Sequence, residues 1–524
     1  MIKEIDRKKE AKWLSDLETL KLHYSKFKRD EEGFLIYDTK ENAEKYMRVN
    51  IENSDRFVDE ENEKIRQEKK ENEYTELQSE VRGLLLERKR DDATEYIVKF
   101  IEDNNYIYTT KDDIKSEMWI YKDGIYKPEG KSEIKEQIRK ILGKTYNSQI
   151  YNRIIEKIEA DTYIEHNDFF QTNYLNEVPV NNGILNIFTR ELKPFNPKKI
   201  FFNKLPIEYD INAICPNILK FFSDVLKHEE DIPVMLEIIG FCLLKEYRFE
   251  KAFMFVGSGR NGKSKTLELI KKMIGIENCC SVPLSMITAD STSVIEMFGK
   301  MVNLAGDLSN DSLKKTGMFK QTVGRDVIAA KRKYLRDLIF VNYAKHIFAA
   351  NELPRVYDLS DGFWTKWLLL EFPYKFIPKS EYDSLSEEDK INKKILDPNI
   401  IEKITSPQEM AGLLNLSLDS LKILLEKENF SYSKGTNEIK ELWIRQSDSF
   451  TAFCMDCIEE NYNNKISKKE LRNEFHKYCK KHKLRGAGDK SIKATLQDRY
   501  GANEVQIYGE GNRFWEGIEF KSKI

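Results

Sequence analysis

The sequence predicts a multi-domain α/β protein whose centre is a parallel sheet carrying a phosphate-binding loop. Three observations predict it. Gly257-Ser258-Gly259-Arg260-Asn261-Gly262-Lys263-Ser264 fits G-x-x-x-x-G-K-[ST], follows the apolar run Phe253-Met-Phe-Val256 and opens a helical stretch over 265–274. Met301-Val-Asn-Leu304, Ile347-Phe-Ala-Ala350 and residues 367–372 repeat the buried-strand pattern, with helical segments between them, which is how a parallel sheet reads. A length of 524 residues leaves room for three or four domains at about 150 residues each.

Composition narrows the class. Hydrophobic residues make up 40 % and charged residues 33 %, enough apolar surface to exclude wholesale disorder. The net charge of −2 excludes a global basic field, so any nucleic-acid surface is a local patch. The longest apolar run, residues 232–244, is interrupted by Glu237 and falls short of the about 20 residues a bilayer needs. The first 30 residues are charged throughout, with no secretory h-region. Seven cysteines suit a reducing compartment rather than a disulfide framework. A cytoplasmic protein without membrane association is expected.

Five regions follow in order. Residues 1–95 form a charged helical or linker region; residues 59–70 mix both charges, whereas Leu84, Leu85, Leu86, Tyr96, Ile97, Phe100 and Ile101 read as helix faces that dock. Residues 96–220 form an α/β domain. In it Trp119-Ile-Tyr-Lys-Asp-Gly-Ile-Tyr126 is a hairpin around Asp123-Gly124, residues 132–160 are helical, and Asn181-Asn182-Gly183 turns into a strand over 184–188. Residues 221–380 hold the phosphate-binding core, entered by helical patterning over 216–247 with Pro233 opening a second helix. Residues 381–446 are a helical connector. Residues 447–524 are a small domain of two helices, over 467–483 and 489–497, and then two strands over 506–520 around Gly509-Glu-Gly511, the winged-helix pattern.

The phosphate loop has a physical logic. Its glycines let backbone N–H groups turn toward β- and α-phosphates, and the helix that follows adds partial positive charge. Lys263 reaches the β- and γ-phosphates of ATP, and Ser264 holds Mg²⁺. Asp307 ends the run that begins at Met301, 43 residues after Ser264, and suits a second Mg²⁺ position. Asn351 ends a third run and either orients the attacking water or senses the γ-phosphate. The motif by itself names the nucleotide and not the work done with it.

With these strands in order, residues 119–376 resemble superfamily 3 helicases of the AAA+ class, in particular the phage/plasmid primase-helicase family related to the poxvirus primase-helicase. The resemblance is carried by Asn182-Gly-Ile-Leu185, Tyr209-Asp-Ile-Asn-Ala213, Gly257 to Ser264, Gly299-Lys-Met-Val-Asn303 with Asp307, Gly324-Arg-Asp326, Asn351-Glu-Leu-Pro354 and Asp361-Gly-Phe-Trp364. It implies an AAA+ P-loop core in a homo-oligomeric ring, a hexamer, that threads single-stranded DNA 3′ to 5′ with ATP between subunits. Lys263, Ser264, Asp307 and Asn351 take the roles just given. The segment from Lys320 to Tyr334 is similar to the family's segment leading into the pore hairpin, where Lys333 touches the DNA backbone, Lys331 and Arg332 sit beside it and Tyr334 stacks on a base. Two departures stand out. Where the family places an arginine reaching the neighbour's γ-phosphate, this chain has Lys366, which lacks the planar fork; Lys366, Arg355 or another residue takes that role. Residues 1–118 carry no paired-Asp primase signature, so primer synthesis is not expected of them.

Charge asymmetry marks the last domain. Residues 465–499 hold twelve Lys/Arg against four Asp/Glu, a net of +8 in a chain of −2, which suits phosphate contacts. Arg485, Lys490 and Lys493 belong near its second helix and Arg513 on the wing, a surface for origin double-stranded DNA. Cys454-x-x-Cys457 and Cys479-x-x-His482 have near-zinc spacing, but residues 450–461 and 470–482 read as amphipathic helices in which cysteine packs as a small core residue. The expectation is an ATP-dependent helicase or replication initiator of a mobile element, working with host replication proteins. An ATP-controlled origin-binding protein without robust unwinding is the alternative.

Overall fold

The computed structural model describes the backbone at residues 27–29 and 35–37, residue 64, and residues 71–111, 116–170, 174–289, 292–306, 308, 312–313, 315–331, 337–358, 360–482, 484, 486–506 and 513–521. Two compact units divide the chain. One comprises Met1–Lys111, Glu117–Ile120 and Pro128–Ile164, the other Asp112–Ser116, Tyr121–Lys127 and Glu165–Ile524. The division does not fall at 95/96 or 220/221. Residues 165–220 contribute Val178, Leu185, Leu205 and Ile218 to the core of the second unit.

In the first unit, strand Phe27–Arg29 pairs antiparallel with Leu35–Tyr37. Helical residues 71–86 bury Tyr74, Leu77 and Val81 with Ile97 and Ile101 of helix Arg90–Asn104, while Leu86 stays exposed. The stretch expected as one helix over 132–160 is two, Gly130–Leu142 and Ser148–Asp161. Gly143 at φ 50° stops the first. Asn147 starts the second, its side chain accepting from the Ile150 N–H at 3.0 Å. Both helices turn isoleucines at helical spacing inward: Ile134, Ile138 and Ile141, then Ile154 and Ile158.

The second unit is built on five parallel strands: β1 (Ala252–Val256), β2 (Cys279–Cys280), β3 (Val302–Ala305), β4 (Lys345–Ala350) and β5 (Trp367–Glu371). Their order is 2-3-4-1-5. All five residues of β1 and all six of β4 are buried, the continuous apolar reading of strands covered on both faces. Helices Asp231–Cys242 and Pro407–Lys427 pack with this core, and the aromatic rings of Phe319, Trp367 and Trp443 close one side of it. Pro216 opens its helix at the first turn, as expected; the next helix opens at Asp231, two residues before Pro233.

Beyond the sheet, Val327–Ala330 and Leu338–Val341 form an antiparallel pair. After residue 447 come helix Ser449–Cys457, strand Ile458–Ser467, helices Lys468–His482 and Asp489–Tyr500, and strands Asn503–Gln506 and Arg513–Phe520. The helix expected over 450–461 ends at Cys457, because Ile458 and Ile466 pair across to Phe520 and Trp515 and are buried there. Cys454 and Cys479 pack in the same small core with Phe450 and Phe475. Among the described residues no helix is long and apolar enough to cross a membrane.

Candidate functional site

The phosphate loop leaves the carboxyl end of β1, the strand flanked by β4 and β5. In open α/β sheets this edge is where ligands bind. Two positions of the loop demand glycine. A Cβ on Gly257 would stand 2.0 Å from Asn261 Nδ2 and 2.3 Å from the Phe372 carbonyl. Gly262 has φ 92°, and its Cβ would meet Val225 at 2.5 Å. The helix Lys263–Ile274 starts directly after it, with its N-terminal N–H groups at the loop.

Lys263 is 4 % exposed and held from several sides. Its Nζ donates to the Gly257 carbonyl at 2.6 Å, to Asn261 Oδ1 at 3.0 Å and to Asn351 Oδ1 at 3.0 Å. Asn261 is buried in turn and donates to the Phe372 carbonyl at 3.0 Å. The lysine motif and the Asn351 run are thus brought together, on neighbouring strands β1 and β4. Asn261 and the Gly257 carbonyl are partners that sequence reading did not assign.

A cavity of about 940 Å³ opens on this loop. Phosphate-loop residues and Asn351 line one part, and Phe221, Phe376, Ile395 and Leu396 form an apolar wall. The wall comes from a helix before the loop and from the parallel pair Lys375–Ile377 and Lys393–Ile395 after it. No local spacing signals it. A second cavity, about 1110 Å³, lies along the other side of the helix with Lys127, Lys204, Lys271 and Lys272 in its lining. Ser264 and Gly306 line both.

Family models match two parts of the chain: "D5 N terminal like" over residues 19–227 and a family of unknown function (DUF5906) over 255–362. "Putative helicase L207/L206" of Acanthamoeba polyphaga mimivirus is 24 % identical over 362 residues, covering 66 % of this chain and 37 % of that protein. "Putative helicase 121R" of Invertebrate iridescent virus 3 is 22 % identical over 311 residues, covering 56 % of this chain and 32 % of that one. Over these stretches the chain is similar to the D5 N-terminal-like family and to viral proteins named as helicases. It spans about a third of the length of these two relatives. The apo C-terminal region of NrS-1 is a similar solved structure, with 14 % identity, a TM-score of 0.41, and coverage of 80 % of this chain and 98 % of that one.

The remaining expected site residues are placed as follows. Asp307, Arg332, Lys333, Tyr334 and Arg485 lie outside the described residues. Ser264 is exposed at the start of its helix, and Lys331 is exposed at the end of its strand. Lys366 precedes β5, which runs parallel to β1 in the register Ala252↔Trp367 to Val256↔Glu371. It therefore sits at the amino edge of the sheet, opposite Lys263, and its ammonium is bound by the Glu250 carboxylate. Arg355 is turned toward the C-terminal region: Nη1 donates to Ser491 Oγ at 2.6 Å and Nη2 lies 3.4 Å from Asp448 Oδ1.

Lys490 and Lys493 are exposed on helix Asp489–Tyr500, whose Ile492 and Leu496 face the small core. Arg513 is exposed and lies 3.3 Å from Glu504 Oε1. Glu504 also faces Lys468 at 2.5 Å and Lys493 at 3.9 Å. Hydrogen bonding from Lys468, and then the nearby positive charges, holds its carboxyl below the usual range. Sequence reading missed Glu504 because it lies five residues beyond the basic tract 465–499 and its approach to Lys468, Lys493 and Arg513 is made only by the fold.

Proposed function

We propose that the chain is an ATP-dependent DNA helicase and replication initiator of a mobile element. In this reading it has an AAA+ superfamily 3 core, works as a ring and carries a winged-helix DNA-binding domain. The observation that carries the reading is the 3.0 Å bond between Lys263 Nζ and Asn351 Oδ1. It joins the two motif residues that phosphoryl transfer needs at the edge where a nucleotide fits. Strand order 2-3-4-1-5 and the helicase names of the relatives support it. The helix Asp489–Tyr500, which carries Lys490 and Lys493 within the basic tract 465–499, and its neighbouring strands support the DNA-binding module.

The residues divide the work. Lys263 and the helix N-terminus bind the β- and γ-phosphates. The apolar wall of Phe376, Ile395 and Leu396 takes the base. Asn351 orients the attacking water or reads the γ-phosphate. The exposed Ser264 hydroxyl, where two cavities meet, fits the oxygen donors Mg²⁺ prefers, and Asp307 is the second proposed position. Mg²⁺ supplies charge neutralisation on the phosphates when bound. Lys331 to Tyr334 at the hairpin face the single strand, and Lys490, Lys493, Arg485 and Arg513 face the duplex. Lys366 reaches the site of a neighbouring copy, which requires it to leave Glu250.

A second reading, an origin-binding protein whose ATP site controls assembly without robust unwinding, is favoured by that Lys366–Glu250 pair. The deciding experiment is the rate of phosphate release with and without single-stranded DNA, for wild type, Lys263→Ala and Lys366→Ala. The helicase reading expects stimulation by DNA, no turnover in Lys263→Ala, and a loss of about 100-fold or more in Lys366→Ala. No stimulation together with a silent Lys366→Ala establishes the scaffold reading instead.

A further inference from the structure

We propose that the segment from Asn351 to Asp358 links the phosphate site to the C-terminal basic helix, with Arg355 as the positioning residue of that link. The inference rests on the nucleotide and DNA sites proposed above. Within eight residues this segment touches Lys263 of the phosphate site, the C-terminal region and the helix that leads to the hairpin. Asn351 Oδ1 accepts from Lys263 at 3.0 Å. The Pro354 carbonyl accepts from the buried Trp443 indole at 2.8 Å. Arg355 grips Ser491, in the first turn of helix Asp489–Tyr500, and Asp448, the cap of helix Ser449–Cys457. Asp358 accepts from Lys320 at 3.0 Å and from Thr316, on and before the helix Gly317–Val323 that leads to the Val327–Ala330 hairpin.

The segment is stiff. The Arg355 carbonyl accepts from the Leu313 N–H at 2.7 Å, and Tyr357 N–H donates back to the Leu313 carbonyl at 3.1 Å. Pro354 fixes its own φ. Arg355 follows Asn351 by four Cα–Cα steps, at most about 14 Å of chain. An ammonium has three N–H donors. When a phosphate takes Lys263, one or more of the Gly257, Asn261 and Asn351 oxygens must give up its bond. A shift at Asn351 then has little slack before it reaches Arg355, and Arg355 holds the turn next to Lys490 and Lys493. The coupling is reciprocal: DNA on the basic helix must change nucleotide affinity by the factor by which nucleotide changes DNA affinity.

The test uses the full chain and fluorescence anisotropy of a labelled duplex, titrated with no nucleotide and with a non-hydrolysable ATP analogue. The expected result is a change of about 5–50-fold in duplex affinity on adding the analogue. Arg355→Ala and, separately, Ser491→Ala bring that ratio to within about twofold of one. Ser491→Ala leaves the nucleotide-free duplex affinity and the DNA-free analogue affinity unchanged, a pattern that a general loss of folding does not produce. Ser491→Ala removes one hydroxyl and serves where Arg355→Ala fails to fold. If both ligands bind and wild type shows no ratio, or Ser491→Ala keeps the full ratio, the link is overturned while the proposed function stands. If the single-ligand titrations show no nucleotide or no DNA binding, both fall.

Discussion

The phosphate loop and the C-terminal basic surface use charge in opposite ways. Lys263 and Asn261 are almost wholly buried, and Lys263 donates to Gly257, Asn261 and Asn351 while Asn261 donates to the Phe372 carbonyl. Lys490, Lys493 and Arg513 stand in water, and Lys493 and Arg513 lean on a single acid, Glu504. A buried ammonium with set acceptors is preorganised: it recognises one geometry, and small errors cost much. Exposed cations recognise a density of phosphates, and each contributes a modest, salt-dependent share. The first region should therefore respond to substitution almost all-or-none, the second by degrees.

The steepest response is expected at Gly257. Gly257→Ala drives a methyl group into Asn261 and the Phe372 carbonyl, so phosphate release should fall by about 100-fold or more. Turnover within a few-fold of wild type would break the preorganised half of the comparison. Asn351→Ala removes one partner of Lys263 without steric conflict, and a kcat loss of about 10–100-fold is expected with a smaller change in KM.

Lys345 tests what burial does to a lysine outside the site. It is fully buried, donates to the Leu244 carbonyl and lies over the rings of Phe241 and Tyr247, and burial pushes its ammonium down to about 7. Between pH 7 and the unfolded value near 10.4, the unfolded chain holds a proton that the folded chain has released. This lysine therefore makes stability rise with pH across that window, and its full cost is present below it. Lys345→Met should be more stable than wild type near pH 6.5 by about 1–3 kcal/mol, with the gain shrinking toward pH 10. Thermal unfolding at several pH values measures this, and a pH-independent difference would refute it.

Smaller effects are expected at the exposed surface. Lys493→Ala should weaken duplex binding about 3–5-fold at moderate salt and lower the slope of log K against log salt by about one. A loss of 100-fold would mean that this lysine belongs to a preorganised site after all. Glu504→Gln releases Lys468, Lys493 and Arg513 from their shared acid and should tighten duplex binding about twofold, an effect that vanishes at high salt.

Legibility differed between elements for physical reasons. Four of the five strands, the loop and the helix after it were readable because a continuous apolar run and an eight-residue glycine pattern are local features, whereas the two-residue strand Cys279–Cys280 carries no such run and was not read. The helix break at Gly143 and Asn147 was missed because isoleucine spacing continues across it. The strand at Ile458 was missed because its apolar residues are explained by pairing with residues about sixty positions away. Within the site, Lys263 and Asn351 were each singled out, but the apolar wall was not, since Phe221, Phe376 and Leu396 share no motif.

By itself the sequence determined that a glycine-rich loop of the G-x-x-x-x-G-K-S pattern opens a helix after a buried strand, that further buried strands follow, and that positive charge concentrates over residues 465–499. Those are properties of neighbouring residues, written in spacing and composition. Tertiary structure alone decided what each charged group faces: Asn351 for Lys263 across 88 positions, Ser491 for Arg355 across 136, and Glu250 for Lys366 across 116. Spacing along the chain carries no information about such pairs. They are fixed when strands 1, 4 and 5 stack in parallel and bury their apolar faces, and the polar ends of those strands must then find partners where the packing leaves them.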